Sequence, residues 1–213
     1  MGEITELVRS ERVALIDLLG TLSPADWATP SLCAAWTVQQ VAAHLAWAPV
    51  LSLRRAFPEL VRHRLNINEM NAELAVGWAE RGPAAIIEQL RRNVSDDARP
   101  PGVPDAAVLA DAVVHGLDIR RPIGRPAQVD ARAFVVLADL FLGMRWPLSV
   151  SVGGSARKRV HGFRLVASDL DWSSGTGPEV RMSAEALLLM LSGRPVDPVE
   201  MSGTGAVELS HRL

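Results

Sequence analysis

Residues 105–120 read DAAVLADAVVHGLDIR, and this stretch decides the fold because it is a predicted helix with ionisable groups on an apolar side. Asp111, His115 and Asp118 stand at positions i, i+4 and i+7, so they share one helical face. Two carboxylates and an imidazole are costly to bury unless something compensates them, and the pattern predicts that this face points into a helical bundle. The apolar residues on or beside the face are Val108, Val114 and Ile119.

A divalent metal ion is one such compensation, because carboxylate and imidazole are ordinary ligands for zinc and its neighbours. His44 offers a further ligand, since it follows Val41 by one turn and precedes Leu45 on the inward face of another predicted helix. Inward faces of one bundle converge on a single point in bundle metal sites. We therefore predict a metal bound by His44, Asp111 and His115, with a coordination position left open. The spacing also leaves open a core histidine held by a hydrogen bond to the Asp four residues before it.

The amino-terminal two thirds of the chain has helical periodicity, which predicts a bundle of four main helices or slightly more. Thr37 and Gln40 form a capping-box pattern at the start of the second helix. Asp105 and Asp130 are the predicted caps of two later helices. The segment SPADWATPSLCAAW is predicted to be a connection with one short turn. The predicted helices cover residues 3–22, 38–51, 66–81, 83–98 and 105–120, and a further one begins at 130.

The pattern changes near Pro147. FRLVASDLDW and EVRMS are predicted strands, and SSGTGP between them is typical of a turn. Ser183 is the predicted cap of an apolar helix, EALLLML, and AVELS near the end is a predicted strand. Helices followed by short strands and one helix indicate an α+β fold with a small carboxy-terminal domain.

Composition excludes several classes of protein. Of 213 residues, 48% are hydrophobic and 22% charged, which argues against disorder, and a net charge of -2 favours neither nucleic acid nor membrane as partner. Cys33 is the only cysteine, so we expect neither an intramolecular disulfide nor a Cys-rich metal site. We expect Cys33 itself to be a small buried apolar residue. The start MGEITELVRSERVAL has no apolar signal-peptide core, and no run of about 18 apolar residues occurs. We expect a soluble cytoplasmic protein, and no heptad pattern predicts its oligomeric state.

Several segments resemble one known family. PSLCAAWTVQQVAAHLA, DAVVHGLDIRRPIG, ASDLDW, GPEVRMSAEALLLMLSGR and MSGTG occur in that order over nearly the whole chain. In order and spacing they are similar to the mycothiol-dependent maleylpyruvate isomerase family, which is part of the wider DinB-like metalloprotein superfamily.

The resemblance implies a fold and a ligand set. It implies a DinB-like four-helix bundle over residues 1–146 and, over residues 147–213, a small α/β domain similar to sterol-carrier folds. It places the metal on His44, Asp111 and His115. The family has Glu at the acidic position, so the shorter Asp111 is expected to shift the metal, to fall out of reach, or to bind through water. Asp118 then becomes a cofactor-site residue that orients a ligating imidazole.

The resemblance also implies mycothiol as a cofactor, because a bound divalent cation stabilises a thiolate at neutral pH. The implied reaction is an isomerisation or an S-transfer on a small electrophilic substrate. A carboxy-terminal arginine is implied to bind an anion: Arg194 is the catalytic candidate, and Arg181 is the second candidate, assigned to the cofactor. A solvated arginine is the alternative for either. A metal- or ligand-binding protein without turnover and a metal-dependent hydrolase are the alternative functions.

Overall fold

The computed structural model describes residues 2–33, 36–64 and 66–213. The chain divides into two compact units, Met1–Pro126 and Ala127–Leu213. The described part of the first unit is helical, whereas the second combines helices with a three-stranded sheet. The predicted α+β class is therefore confirmed. No helix in the described ranges is long and apolar enough to cross a membrane.

Four helices of the first unit close into a ring. The helix α1 packs against α6 and α7, and α3 packs against the same two helices from the other side. A fifth helix, α5, packs on α3, so α3 lies between neighbours and nearly all of its residues are buried. The bounds in this unit are α1 Glu3–Leu19, α2 Pro24–Ala28, α3 Val38–Trp47, α4 Leu53–Arg62, α5 Ile67–Ala79, α6 Gly82–Ser95 and α7 Asp105–Arg120, with a 3-10 helix at Ala48–Val50.

The start of α3 is fixed by the predicted capping box. The Gln40 amide donates to the Thr37 hydroxyl, and the Thr37 amide donates to the Gln40 side chain at 2.8 Å. These bonds satisfy backbone donors that have no partner within the helix. His44 follows two turns later, so the cap sets where its side chain enters the bundle.

Two helix predictions in this unit differ from the structure. Pro104, not Asp105, stands at the cap of α7, and no side chain caps the helix, because proline has no side-chain acceptor. The Asp105 carboxylate accepts a hydrogen bond from Arg99. The helix α4 lies where no element was predicted, with Pro58 in its interior. An internal proline removes a helical hydrogen bond, which is why the sequence pattern there did not indicate a helix.

The second unit begins with α8, whose start at Asp130 was predicted. The Asp130 side chain accepts from the amides of Arg132 and Ala133. Strand β1 is the centre of the sheet, antiparallel to β2 and parallel to β3. Ser183 caps α10 as predicted, and α10 packs on α8. The bounds are α8 Ala131–Gly143, α9 Ala156–Arg159, β1 Arg164–Ala167, β2 Ser173–Gly175, β3 Glu179–Met182, α10 Ala184–Leu191 and α11 Ala206–Ser210, with 3-10 helices at Leu148–Val152 and Pro198–Glu200.

The predicted turn SSGTGP contains strand β2. Gly175 and Gly177 have positive φ values of 85° and 125°. A Cβ at either position would collide with the carbonyl oxygen of Phe163 or Gly162. The glycines therefore permit close strand pairing, and not only a turn.

The predicted strand AVELS was wrong, because these residues form α11. Arg181 on β3 exchanges backbone hydrogen bonds with Ser202, so the outer edge of β3 is paired before residue 206 is reached. The chain then turns at Gly203, whose φ is 97°, and coils against β3.

The boundary between the compact units differs from the sequence-based division at residue 146. Helix α8 belongs to the second unit, where it packs against α9 and α10 and where Phe134 contacts the Trp172 ring edge-on at 5.0 Å. These contacts of α8 decide that it belongs to the second unit, and helical periodicity in the sequence does not show them. The similarity of residues 147–213 to sterol-carrier folds stays a prediction.

Replacing Thr37 with Ala should lower the free energy of unfolding by about 1 kcal/mol, because an amide at the start of α3 loses its acceptor. Urea denaturation of the two proteins measures this. Ser52→Ala is the matched control, since Ser52 stands at the cap of α4 without a side-chain cap bond. Equal losses in both variants would contradict a specific role for the Thr37 cap.

Candidate metal centre

The packing of α3 against α7 brings His44 to Asp111. The His44 side chain is 7% exposed, and its Nε2 lies 3.3 Å from Asp111 Oδ1. The two residues are 67 positions apart in sequence, so only the helix packing joins them. The inward orientation predicted for both faces is what the structure shows.

His115 approaches the same carboxylate oxygen from within α7. Its Nε2 lies 3.6 Å from Asp111 Oδ1, and its ring centroid lies 5.0 Å from that of His44. One donor atom from each of these three residues can be chosen so that all lie within 4.8 Å of one another. The shorter Asp111 therefore reaches the two imidazoles.

These donors fit a divalent cation. Two imidazole nitrogens and one carboxylate oxygen are a donor set that suits zinc, iron, nickel or manganese. The Asp111 side chain is 36% exposed, so one side of the set is open to solvent. The assignment of His44, Asp111 and His115 as ligands stays a prediction, and their convergence is the geometry that it requires.

Asp118 sets the orientation of His115. Its Oδ2 lies 2.9 Å from His115 Nδ1, and its side chain has no exposed surface. An Nδ1–H that donates to this carboxylate leaves the lone pair of Nε2 directed at Asp111 and His44. The buried Asp118 carboxylate therefore supports the orientation of the His115 ring from behind. The backbone carbonyl of Asp118 also accepts from the Leu32 amide, which ties the connection before α3 to α7.

Aromatic packing holds the ring of His44. Trp36 lies 5.3 Å from it in a tilted contact, and Trp47 lies 5.5 Å away edge-on. His44 Nδ1 is buried and has no hydrogen-bond partner among the described residues. Trp36 also contacts the His115 ring at 6.1 Å, so one indole covers both imidazoles. The sequence does not predict this contact, because nothing in the spacing connects residue 36 with residue 115.

The charge state of Asp111 follows from competing effects. Burial raises its pKa, but the hydrogen bond to His44 and the charges of His44, His115 and Arg12 outweigh this and lower the pKa to about 2. The carboxylate is therefore ionised through the physiological range and available to a cation.

Cys33 lies closer to this centre than predicted. A donor set of Cys33, His115 and Asp118 also falls within 4.8 Å, on a half-buried thiol. Its side chain also packs, partly buried, against the apolar core of this unit. No local pattern in PSLCAAW could show that the connection folds back onto α7.

The two candidate arginines lie in the second unit. Arg181 is on β3, where its guanidinium donates to Glu179 at 2.9 Å. Arg194 follows α10, and its guanidinium donates to the Ser192 carbonyl at 2.9 Å. Their roles in catalysis and cofactor binding stay predictions.

Comparison with known proteins gives the centre its context. Residues 8–120 match the family model described as the mycothiol maleylpyruvate isomerase N-terminal domain. This chain belongs to that family. The matched range contains all three predicted metal ligands and Asp118, and it ends at the last residue of α7.

Two solved structures share the fold of this family member. One is the crystal structure of the mycothiol-dependent maleylpyruvate isomerase, with a TM-score of 0.60 and 16% identity. The other is a histidine-to-alanine mutant of that enzyme, with a TM-score of 0.60 and 14% identity. Each comparison covers 96% of this chain and 92% of the other. No curated protein sequence matches the chain.

Replacing Asp118 with Asn should weaken divalent-metal affinity about 10- to 100-fold, because the neutral amide holds the His115 tautomer less strongly. Competition with a chromophoric chelator measures the change. The exposed Asp139→Asn, on α8, is the control and should bind metal like the parent protein. Unchanged affinity in Asp118→Asn would contradict the orienting role.

Replacing Asp111 with Asn should change how stability depends on pH in the metal-free protein. A carboxyl whose folded pKa is depressed stabilises the fold above its unfolded pKa, and this contribution is lost as pH falls toward about 2. The parent should therefore be the more stable protein at pH 5, and the difference should shrink between pH 4 and pH 2. Urea denaturation at several pH values measures it. A difference independent of pH over that range would refute the assignment.

Proposed function

We propose that this chain is a divalent-metal-dependent enzyme that uses mycothiol as its thiol cofactor. The proposed reaction is an isomerisation or an S-transfer on a small electrophilic substrate, and zinc is the proposed metal. Membership of the mycothiol maleylpyruvate isomerase family supports the cofactor. The placement of the three donor side chains supports a bound metal ion.

The observation that carries the proposal is the convergence of His44, Asp111 and His115 on one point. The buried imidazole of His44 beside a carboxylate needs compensation, and hydrogen bonds supply only part of it because His44 Nδ1 has no partner in the described residues. Three protein ligands with one exposed side leave a position for an exogenous ligand, as in catalytic sites. A structural metal site would be closed.

Each residue of the proposed centre has a separate role. His44, Asp111 and His115 would hold the cation, and a cation bound there would favour thiolate over thiol at neutral pH. Asp118 keeps the proton of His115 on Nδ1, which leaves Nε2 free to ligate. Trp36 covers both imidazoles and limits water on that side, which strengthens electrostatic interactions at the centre.

For the anionic group of a substrate or cofactor we retain Arg194, with Arg181 as the second candidate. A guanidinium grips a carboxylate through two parallel hydrogen bonds, which an ammonium group cannot do. Both guanidinium groups also donate within the second unit, Arg181 to Glu179 and Arg194 to the Ser192 carbonyl.

Replacing His44 with Ala should abolish stoichiometric metal binding, because the centre loses its only donor from α3. Metal analysis of purified protein after dialysis against zinc measures this. His161→Ala is the control, since His161 is exposed. Equal metal content in the parent and His44→Ala would contradict the proposed metal site.

Mycothiol should raise the melting temperature of the metal-loaded protein and have a smaller effect after chelation. If the thiol stabilises both forms equally, the metal does not contact it.

A panel of electrophiles with metal and mycothiol supplied then separates the functions. Turnover without thiol would indicate a hydrolase, and no turnover at all would favour a binding protein.

A further inference from the structure

Cys33 belongs to a segment whose backbone is held in place by hydrogen bonds. Its amide donates to the Ser31 hydroxyl at 3.1 Å, and its carbonyl accepts from that hydroxyl and from the Trp36 amide, also at 3.1 Å. The preceding amide, that of Leu32, donates to the Asp118 carbonyl of α7 at 3.1 Å. These bonds fix the backbone of Cys33 beside the end of α7 that carries His115 and Asp118.

The Cys33 side chain meets two other donor groups there. Its Sγ, one imidazole nitrogen of His115 and one carboxylate oxygen of Asp118 all lie within 4.8 Å of one another. Neighbouring ligands of a tetrahedral cation lie about 3.3 to 3.8 Å apart, given metal–ligand bonds of about 2.0 to 2.3 Å. Movements of about 1 Å therefore suffice for the three donors to share one cation.

This second donor set, Cys33, His115 and Asp118, differs from the first donor set of His44, Asp111 and His115. It contains sulfur, and its carboxylate has no exposed surface, whereas the Asp111 side chain is 36% exposed. His115 is common to both, but its Nε2 lies 3.6 Å from Asp111 and its Nδ1 lies 2.9 Å from Asp118. The two sets therefore lie on different sides of the His115 ring.

The second donor set favours a cation that bonds strongly to sulfur. A cation bound to His115 Nδ1 takes the place of the proton that Asp118 accepts, and the protons of Nδ1 and of the thiol pass to solvent. A strong metal–thiolate bond compensates for the lost hydrogen bond, and a hard cation does not form such a bond. Zinc has the first donor set available, where this hydrogen bond stays intact. The second set is therefore suited to a thiophilic cation such as Cd²⁺.

We propose that Cys33, His115 and Asp118 form a second cation site in the first unit, which takes a thiophilic divalent cation. The inference goes beyond the function proposed above and does not depend on metal binding by His44 and Asp111. Because both sites use His115, cations at the two sites would repel each other across one ring. A thiophilic cation at the second site would therefore weaken the binding of zinc at the first.

The test titrates the protein with Cd²⁺ and follows the ultraviolet charge-transfer band of the cadmium–thiolate bond. Cys33 is the only cysteine, so the band reports this one thiol. The parent should develop the band up to one Cd²⁺ per chain, and Cys33→Ser should not develop it. His44→Ala, which removes a donor of the first set only, should give the same band at the same Cd²⁺ concentration as the parent.

A second comparison separates a built site from a single reactive thiol. Asp118→Asn should require about tenfold more Cd²⁺ for half of the band, because the site loses its carboxylate ligand and the support of His115. Asp111→Asn is the matched control, since Asp111 belongs to the first set alone, and it should titrate like the parent. Equal midpoints in the parent and Asp118→Asn would show a lone thiol and would overturn the inference. His115→Gln provides the same comparison if Asp118→Asn does not fold.

The outcomes keep this inference apart from the proposed function. No band in the parent would overturn the second site and would leave the first donor set untouched. A band in the parent together with no zinc binding would support the second site while the proposed metal-dependent function fails. Zinc affinity of the parent, measured by chelator competition with and without one equivalent of Cd²⁺, should fall when Cd²⁺ is present. The same zinc affinity in both conditions would contradict the shared use of His115.

Discussion

The structure of the first unit depends on one contact, that of His44 on α3 with Asp111 on α7. Their atoms approach to 3.3 Å inside a helical bundle where most neighbours are apolar. Ionisable groups in such surroundings destabilise the fold unless they are paired, because water no longer solvates them. The contact therefore constrains how α3 and α7 pack, and the capping box and the closed ring of helices hold both in that register.

The two imidazoles of the centre are held by different means. His115 is oriented by a buried carboxylate, which controls both ring direction and proton position. His44 is confined between Trp36 and Trp47, which control ring direction only. This asymmetry suits a site that exchanges ligands more than one that is permanently closed.

Charge is also distributed unevenly around the centre. Asp118 is fully buried behind His115, whereas Asp111 is part exposed and lies within the field of Arg12. The carboxylate on the open side is the one whose charge a cation would neutralise.

Local interactions explain what could be predicted from the sequence. Capping at Thr37, Asp130 and Ser183 depends on residues three positions apart, and the shared face of Asp111, His115 and Asp118 depends on helical periodicity alone. Long-range packing decided the rest. Ser202 pairs with β3, and the residues after it, which were predicted to be a strand, form α11. Helix α8 belongs to the second unit because it contacts α9 and α10. The positions of Trp36, Cys33 and Arg12 beside α7 had the same origin, since each is separated from that helix by about 70 residues or more and no local pattern records the approach. The sequence by itself determined the helices, their inward faces and the donor types, because these follow from neighbours along the chain. Only the tertiary structure decided that the donors meet at one point, because that depends on how separate helices pack.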